Sequence, residues 1–196
     1  MLEIKQVCEH SFFSPIDGVV LDIGCGNFDF AKKVLEHGAT HVIAVDPNRL
    51  LLPPNEDRIS FINSAVGENT RKDIYVENEN HEENHLEKYS GDYITKQKSK
   101  YEIDVITIDK IMKDYKVEKF SLIKIDCEGA ETEILRSITS CISEQITIEF
   151  HDHIDNSLYH IPYSFLNLYK IISNKKYERR GRLSHWDSLF VARKKC

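Results

Sequence analysis

The residues able to do chemistry gather in two short boxes. In the first, VVLDIGCGNFDF, Asp22, Gly24 and Gly26 stand where an apolar run of strand length meets a segment of helical period. Glycine serves two needs at such a junction: the turn is tight, and a ligand must approach the backbone closely. The helix behind the turn offers free N–H groups at its start. Twenty residues past Gly26, Asp46 ends the run VIAVD. A carboxylate there can accept hydrogen bonds from both hydroxyls of a ribose. Together these features point to a nucleoside-containing cofactor.

Two cofactors compete for this turn. A dinucleotide fingerprint reads G-x-G-x-x-G, its third glycine letting helix and strand pack closely. Counted from Gly24, that third position holds Asp29, whose charge would repel a pyrophosphate. Asp22 is also an acid within the strand end, where a dinucleotide fold usually wants an apolar residue. An acid there suits a cationic ligand end, such as the α-amino group or sulfonium of S-adenosylmethionine. The turn therefore favours S-adenosylmethionine over NAD.

The second box is KIDCEGAETEIL, from Lys124. Asp126 ends an apolar run, Glu128 and Gly129 form a turn, and Glu131 and Glu133 open a helical segment. Acids in a first helical turn complement the dipole, so Glu131 and Glu133 are read as capping residues. Asp126 and Glu128 fall at the carboxyl end of a strand, where open α/β sheets bind ligands. Lys124 shares a strand face with Asp126, and a lysine in a covered strand needs a carboxylate partner. A structural ion pair is thus the alternative to a catalytic Asp126.

This box resembles the FkbM-type S-adenosylmethionine-dependent methyltransferases, whose signature is an L-D-x-L segment followed by K-I-D-x-E-G-A-E. Here these are Ile108-Asp109-Lys110-Ile111 and residues 124–131. Asn63-Ser64-Ala65-Val66-Gly67 and Ile148-Glu149-Phe150-His151 are also similar to the family's pattern, so the resemblance runs over about 19–151. Its first turn differs: Gly24-Cys25-Gly26-Asn27-Phe28 is closer to the general class I pattern, with Phe28 where that pattern has its last glycine. The resemblance implies a class I methyltransferase fold and O-methylation of a hydroxyl on a sugar or other small molecule. By analogy with that fold, Asp22, Gly24 and Gly26 would hold the methionine part, and Asp46 the ribose. Ser64 and Ala65 would lie beside the adenine. Asp126, Glu128 and His151 would line the acceptor's place. A neutral imidazole is the best-matched general base near pH 7, which puts His151 ahead of Asp126 for that role.

The elements that must position these residues alternate between strand-length apolar runs and helical stripes. Strands are expected at 19–23, 41–45, 59–62, 104–108, 122–125 and 146–150, with a further one at 74–76. Helical faces are expected from Phe30, Ala31, Val34 and Leu35; over 110–115; from Ile134, Leu135, Ile138, Cys141 and Ile142; and from Phe165, Leu168, Tyr169 and Ile172. Two closing strands near 177–183 and 188–192 read as an antiparallel C-terminal hairpin. The whole reads as one doubly wound α/β domain over 1–196, Rossmann-like, with a mostly parallel sheet. Residues 77–100 interrupt it as a polar stretch, acidic in its first half and lysine-rich in its second, read as a lid or a solvated insertion.

Composition bounds the remainder. A chain of 196 residues fits one domain at about 150 residues per domain. The net charge of -6 excludes a whole-protein basic field for holding nucleic acid. The resemblance implies a small-molecule or glycan acceptor as the partner. No apolar run is of membrane-spanning length, the start MLEIKQVCEH lacks the features of a secretion signal, and five irregularly spaced cysteines suit reduced thiols. A cytoplasmic location is expected. HEENH at 81–85 satisfies the literal zincin string H-E-x-x-H, yet has no apolar face to seat it on a packed helix, so no metal is expected. The Lys- and Arg-rich 175–195 reads as edge-strand protection, or else as a site for an anionic acceptor near Trp186. Rival functions are methylation of nucleic acid or protein, a non-catalytic domain of the same fold, and an NAD oxidoreductase.

Overall fold

The computed structural model describes residues 2–80, 84–89, 96–151, 161–177 and 185–193. The chain opens with a hairpin that the sequence reading did not anticipate: β1 (Glu3–Val7) and β2 (His10–Ser14) pair antiparallel. Cys8 and Glu9 make its two-residue turn at φ 47° and 69°, the left-handed region that primed hairpin turns demand.

The first α/β unit follows. Apolar β3 (Gly18–Ile23) leads through the glycine turn to α1 (Asp29–Glu36), then to β4 (Ala39–Val45) and β5 (Ile59–Ile62). Phe30, Ala31, Val34 and Leu35 of α1 are the buried stripe its period predicts. Strand alternation divides β3 between two cores. Leu21 and Ile23 pack with Ile43, Ile123 and Ile125 on one face, Val20 with Phe30, Val34 and Val42 on the other. Burial on both faces explains why these strands read as continuous apolar runs.

The chain then builds a second, four-stranded sheet from β6 (Ala65–Val66), β7 (Arg71–Asn78), β8 (His85–Leu86) and β9 (Gln97–Ile106), ordered β6-β9-β7-β8. Part of the polar stretch expected as a lid is therefore strand, and β9 starts seven residues ahead of the strand expected at 104. Its exposed face carries Lys98, Lys100, Glu102 and Asp104, so the residues look polar although the backbone pairs with β7 from Gln97 to Val105, with one irregularity at Lys98. Residues 81–83 and 90–95 of that stretch lie outside the described residues.

The return to the main sheet runs through α2 (Ile108–Tyr115), β10 (Leu122–Ile125), α3 (Glu131–Ser137), β11 (Gln145–His151), α4 (Tyr163–Leu168), β12 (Tyr169–Tyr177) and β13 (His185–Ala192). The large sheet is ordered β12-β13-β11-β10-β3-β4-β5. Pairs from β11 to β5 are parallel, and β13 is antiparallel to both β11 and β12. Two helical expectations are corrected. The stripe 134–142 is helical only to Ser137, whose Oγ donates to Ile134 O at 2.7 Å and competes with the helix backbone; Ile138 and Ile142 stay buried beyond it. Tyr169 and Ile172 belong to β12, so that strand starts eight residues before the one expected at 177. Among the described residues no helix is long and apolar enough to cross a membrane.

Glu133 of α3 ties the small sheet to the large one. Its carboxylate accepts from Arg71 Nη1 (2.7 Å), Lys88 Nζ (2.5 Å), Tyr89 Oη and the Glu68 N–H (3.0 Å). Gly67 is needed beside it, because a Cβ there would lie 2.7 Å from Glu133 Oε1. Burial opposes ionisation of Glu133, but these donors outweigh it and hold its pKa down to about 2. A depressed acid contributes stability above its unfolded pKa of 4.5, lost as the pH falls toward 2. Glu133→Gln is therefore expected to cost about 2 kcal/mol at pH 7, a Tm drop of about 4–8 °C. Thermal melts at pH 7 and pH 3 check this: the gap from wild type should shrink in acid, and an equal gap at both would refute the clamp.

Candidate active site

The order of the large sheet fixes where a site can form. The chain moves outward from β3 to β5, then returns to place β10 on the other side of β3. The crevice lies at this switch point, outside the carboxyl ends of β3 and β10. Both boxes meet there: Asp126 N–H donates to Ile23 O at 3.1 Å, and Lys124 stands opposite Asp22 in the β3–β10 register.

The glycine turn is built for close approach. Gly24 has φ 75°, and a Cβ on it would lie 1.6 Å from Asp126 O. Gly26 also has positive φ, but a Cβ there meets nothing within 4 Å, and the residue lines the cavity. Phe28, at the position of the general pattern's last glycine, takes the glycine-like φ of 64° itself. It is 3% exposed, and its edge-to-face contact with Phe61 (centroids 5.2 Å apart) helps to offset the backbone cost.

Asp46 is locked to this turn. Its Oδ2 accepts from the Gly26 N–H at 3.0 Å and its Oδ1 from the Asn48 N–H at 2.8 Å. Burial pushes its carboxyl up to about 6, although both N–H donors pull the other way. Asn63 Nδ2 braces the same residue through its carbonyl at 3.0 Å. Each carboxylate oxygen has a further lone pair for a ligand hydroxyl.

Asp22 lies behind the cavity wall and is not among the residues lining it. It is fully buried, and Lys124 Nζ sits 3.4 Å from its Oδ1. The same ammonium donates to Gly24 O at 2.5 Å and lies 3.3 Å from Asp126 Oδ2. The buried lysine thus clamps the first turn to the second box. Asp22 acts on the turn through Lys124, which it holds beside Gly24 O. For Asp126, the structural ion pair and the cavity-facing position are both present.

His151 is the last residue of β11. It is 6% exposed and encircled by acids. Its Nδ1 is 3.0 Å from Glu131 Oε1, and its Nε2 is 3.2 Å from Glu128, 3.4 Å from Glu149 and 3.9 Å from Asp126. Burial favours the neutral ring, but the Glu128 and Glu131 charges outweigh it and raise the pKa well above 6.5. These carboxylates favour the protonated ring, whereas a general base needs the neutral one. Burial pushes Glu128 up to about 7, with the His151 charge opposing. Glu128, at φ 51°, lines the cavity, and a carboxyl raised toward neutrality by burial suits a general base.

A cavity of about 670 Å³ joins these parts. Gly24, Gly26, Asp46, Ser64, Ala65, Asp126 and Glu128 line it; Asp22 and His151 stand behind its wall. The small sheet supplies Tyr75, His85 and Leu86, and the hairpin turn supplies Cys8 and Glu9. His85 of HEENH is thus in the wall on β8, while 81–83 lie outside the described residues. The sequence reading missed His10, which β2 buries with Nε2 3.5 Å from Asp126 Oδ2, and Glu149, beside His151 on β11. Two signals could have found Glu149: the family-like segment Ile148-Glu149-Phe150-His151 and its period-2 alternation, which puts Glu149 on the same strand face as His151. The basic strand β12 is a sheet edge, with Lys176 Nζ 5.7 Å from the Trp186 ring, and no Lys or Arg of it lines the cavity.

Comparison with known proteins meets this geometry from outside. No curated protein matches the sequence at a significant level. Solved structures share the fold at low identity. A protein described as an S-adenosylmethionine-dependent methyltransferase from Listeria monocytogenes has 10% identity and TM-score 0.52, covering 92% of each chain. An rRNA methylase from Streptococcus thermophilus has 10% identity and TM-score 0.50, covering 91% of this chain and 89% of its own. A protein described as a hemolysin, also from Streptococcus thermophilus, has 14% identity and TM-score 0.51 over 91% of this chain. The present chain spans 61% of that hemolysin's length. These likenesses establish the class I methyltransferase fold. The family model described as the methyltransferase FkbM domain matches residues 16–179, and the chain belongs to that family.

Proposed function

We propose that the cavity binds S-adenosylmethionine and that the protein methylates a hydroxyl of an uncharged small molecule or glycan. The observation carrying this reading is the Asp46 carboxylate, fixed by the Gly26 N–H at the mouth of a cavity that begins on a glycine turn. The residues present fit the cofactor: Gly26 leaves open space where a Cβ would project, and the cavity volume lies within the range of small-molecule sites. Gly24 and Gly26 would hold the methionine part, Asp46 the ribose, and Ser64 and Ala65 the adenine. When bound, the cofactor would supply a sulfonium-activated methyl group for transfer to the acceptor oxygen. The protein must then orient the acceptor oxygen and take its proton. Glu128 suits the second task, and Asp126, fixed between Lys124 and His10, suits the first.

The charge of the wall supports an uncharged acceptor. Glu9, Asp46, Asp126, Glu128 and Glu149 line the cavity among the described residues, with no Lys or Arg. A phosphorylated sugar or a nucleic-acid backbone would be repelled there. Methyl transfer from labelled S-adenosylmethionine to panels of neutral and phosphorylated polyols tests the reading. Turnover on neutral acceptors is expected, and turnover confined to phosphorylated acceptors or RNA would overturn it. Asp46→Asn keeps one acceptor oxygen but turns an amide N–H₂ toward a backbone donor. It should weaken cofactor binding about 10- to 100-fold, measured as Kd.

A further inference from the structure

We propose that the cluster at the carboxyl ends of β10 and β11 binds a divalent cation through His151 Nε2 and carboxylate oxygens of Asp126, Glu128 and Glu149. The proposal rests on the methyltransferase reading only for what the ion would do, not for whether it binds.

Geometry carries it first. His151 Nε2 lies 3.2, 3.4 and 3.9 Å from oxygens of Glu128, Glu149 and Asp126. Ligands about 2.0–2.2 Å from one metal ion stand about 2.8–3.6 Å from each other, so these separations need only small closure. The outer support is already in place. His151 Nδ1 faces Glu131 Oε1 at 3.0 Å, and that oxygen also accepts from the Gly129 N–H (3.1 Å) and the Cys127 N–H (3.3 Å). A buried carboxylate on one ring nitrogen, turning the other toward a group of acids, is the arrangement that orients metal-binding histidines.

A second observation comes from another segment. His10, 1% exposed, has its Nε2 3.5 Å from Asp126 Oδ2, and its Nδ1 3.8 Å from Asp187 Oδ1. His10, Asp126 and Glu149 offer ligand atoms within 4.8 Å of one another, as do Asp126, Glu128 and His151. The two triads share Asp126, and the ligands come from β2, the turn after β10, and β11, which explains why no spacing motif announces them. This site is separate from the HEENH string. Asp126, Glu128 and Glu149 also line the cavity, leaving one side open for an exogenous ligand.

The ion would take the place of the Nε2 proton among the carboxylates. Imidazole with carboxylates suits Mn²⁺, Fe²⁺ or Zn²⁺ better than Ca²⁺. On the open side it would coordinate the acceptor hydroxyl and lower its pKa, the proton passing to a carboxylate oxygen the ion leaves uncoordinated.

The test is Mn²⁺ titration of chelator-treated protein, with free Mn²⁺ read by electron paramagnetic resonance and S-adenosylmethionine binding measured on the same sample. One Mn²⁺ per chain with Kd below about 100 μM is expected. Glu149→Gln and Glu131→Gln should each weaken it about 10- to 100-fold, and Asp114→Asn, on the exposed face of α2, should not. No stoichiometric binding by wild type up to about 1 mM overturns the proposal, whatever the variants do. So does binding unchanged in both glutamine variants. Mn²⁺ binding without S-adenosylmethionine binding upholds the site and removes the methyltransferase reading; the reverse removes the site alone.

Discussion

Gly24→Ala is expected to cost about 4 kcal/mol or more, a Tm drop of about 8–16 °C for a chain of this size. Two effects combine. The new Cβ would stand 1.6 Å from Asp126 O, which belongs to backbone fixed by β10, so neither side can yield without moving a strand end. An alanine at φ 75° also carries the left-handed penalty of about 1–2 kcal/mol. Gly26→Ala is the matched comparison, because it carries the second effect without the first. It should cost only about 1–2 kcal/mol, yet weaken cofactor binding about tenfold or more, since the residue lines the cavity. Thermal melts and binding isotherms of the two variants check this. Equal Tm losses would contradict the claim that backbone contact between the boxes makes Gly24 indispensable.

The second large effect concerns the buried lysine. Lys124→Met is expected to destabilise by about 3–5 kcal/mol, because Asp22 would be left fully buried without its counter-charge. Neither Asp22 oxygen has a hydrogen-bond partner among the described residues, so the ion pair is what the carboxylate depends on. Removing that charge as well should restore part of the loss. Asp22→Asn combined with Lys124→Met is expected to be about 1–3 kcal/mol more stable than additivity predicts. Chemical denaturation of the four proteins in this cycle measures the term. A double variant no better than additive would mean that Lys124 acts through Gly24 O or Asp126 instead.

These two predictions involve residues the sequence already singles out, and the reason is physical. A strand buried on both faces announces itself as an apolar run, which is why β3, β4, β5, β10 and β11 are readable to within about two residues. The glycines and Asp46 announce themselves because a tight turn and a ribose each demand particular residue types. Roles that depend on remote neighbours are not readable in this way. The direction in which His151 is shifted depends on Glu128 and Glu131, which the turn after β10 and the start of α3 bring to it. His10 enters through a hairpin whose turn residues, Cys8 and Glu9, carry no turn signature. The small sheet is hidden because β9 alternates charged residues with half-buried ones, and its pairing partner β7 lies across the polar stretch. Ile138 and Ile142 keep helical spacing yet are buried outside any helix, so burial alone did not report secondary structure there.

The class I fold and family membership leave one link to be measured directly, between the cavity and its cofactor. Isothermal titration of the protein with S-adenosylmethionine, S-adenosylhomocysteine and NAD, run in parallel with the Asp46→Asn variant, tests it. One site per chain for both adenosyl ligands, none for NAD, and a large loss in the variant is the predicted result. A folded wild-type protein that binds neither adenosyl ligand, or that binds NAD in their place, would contradict it.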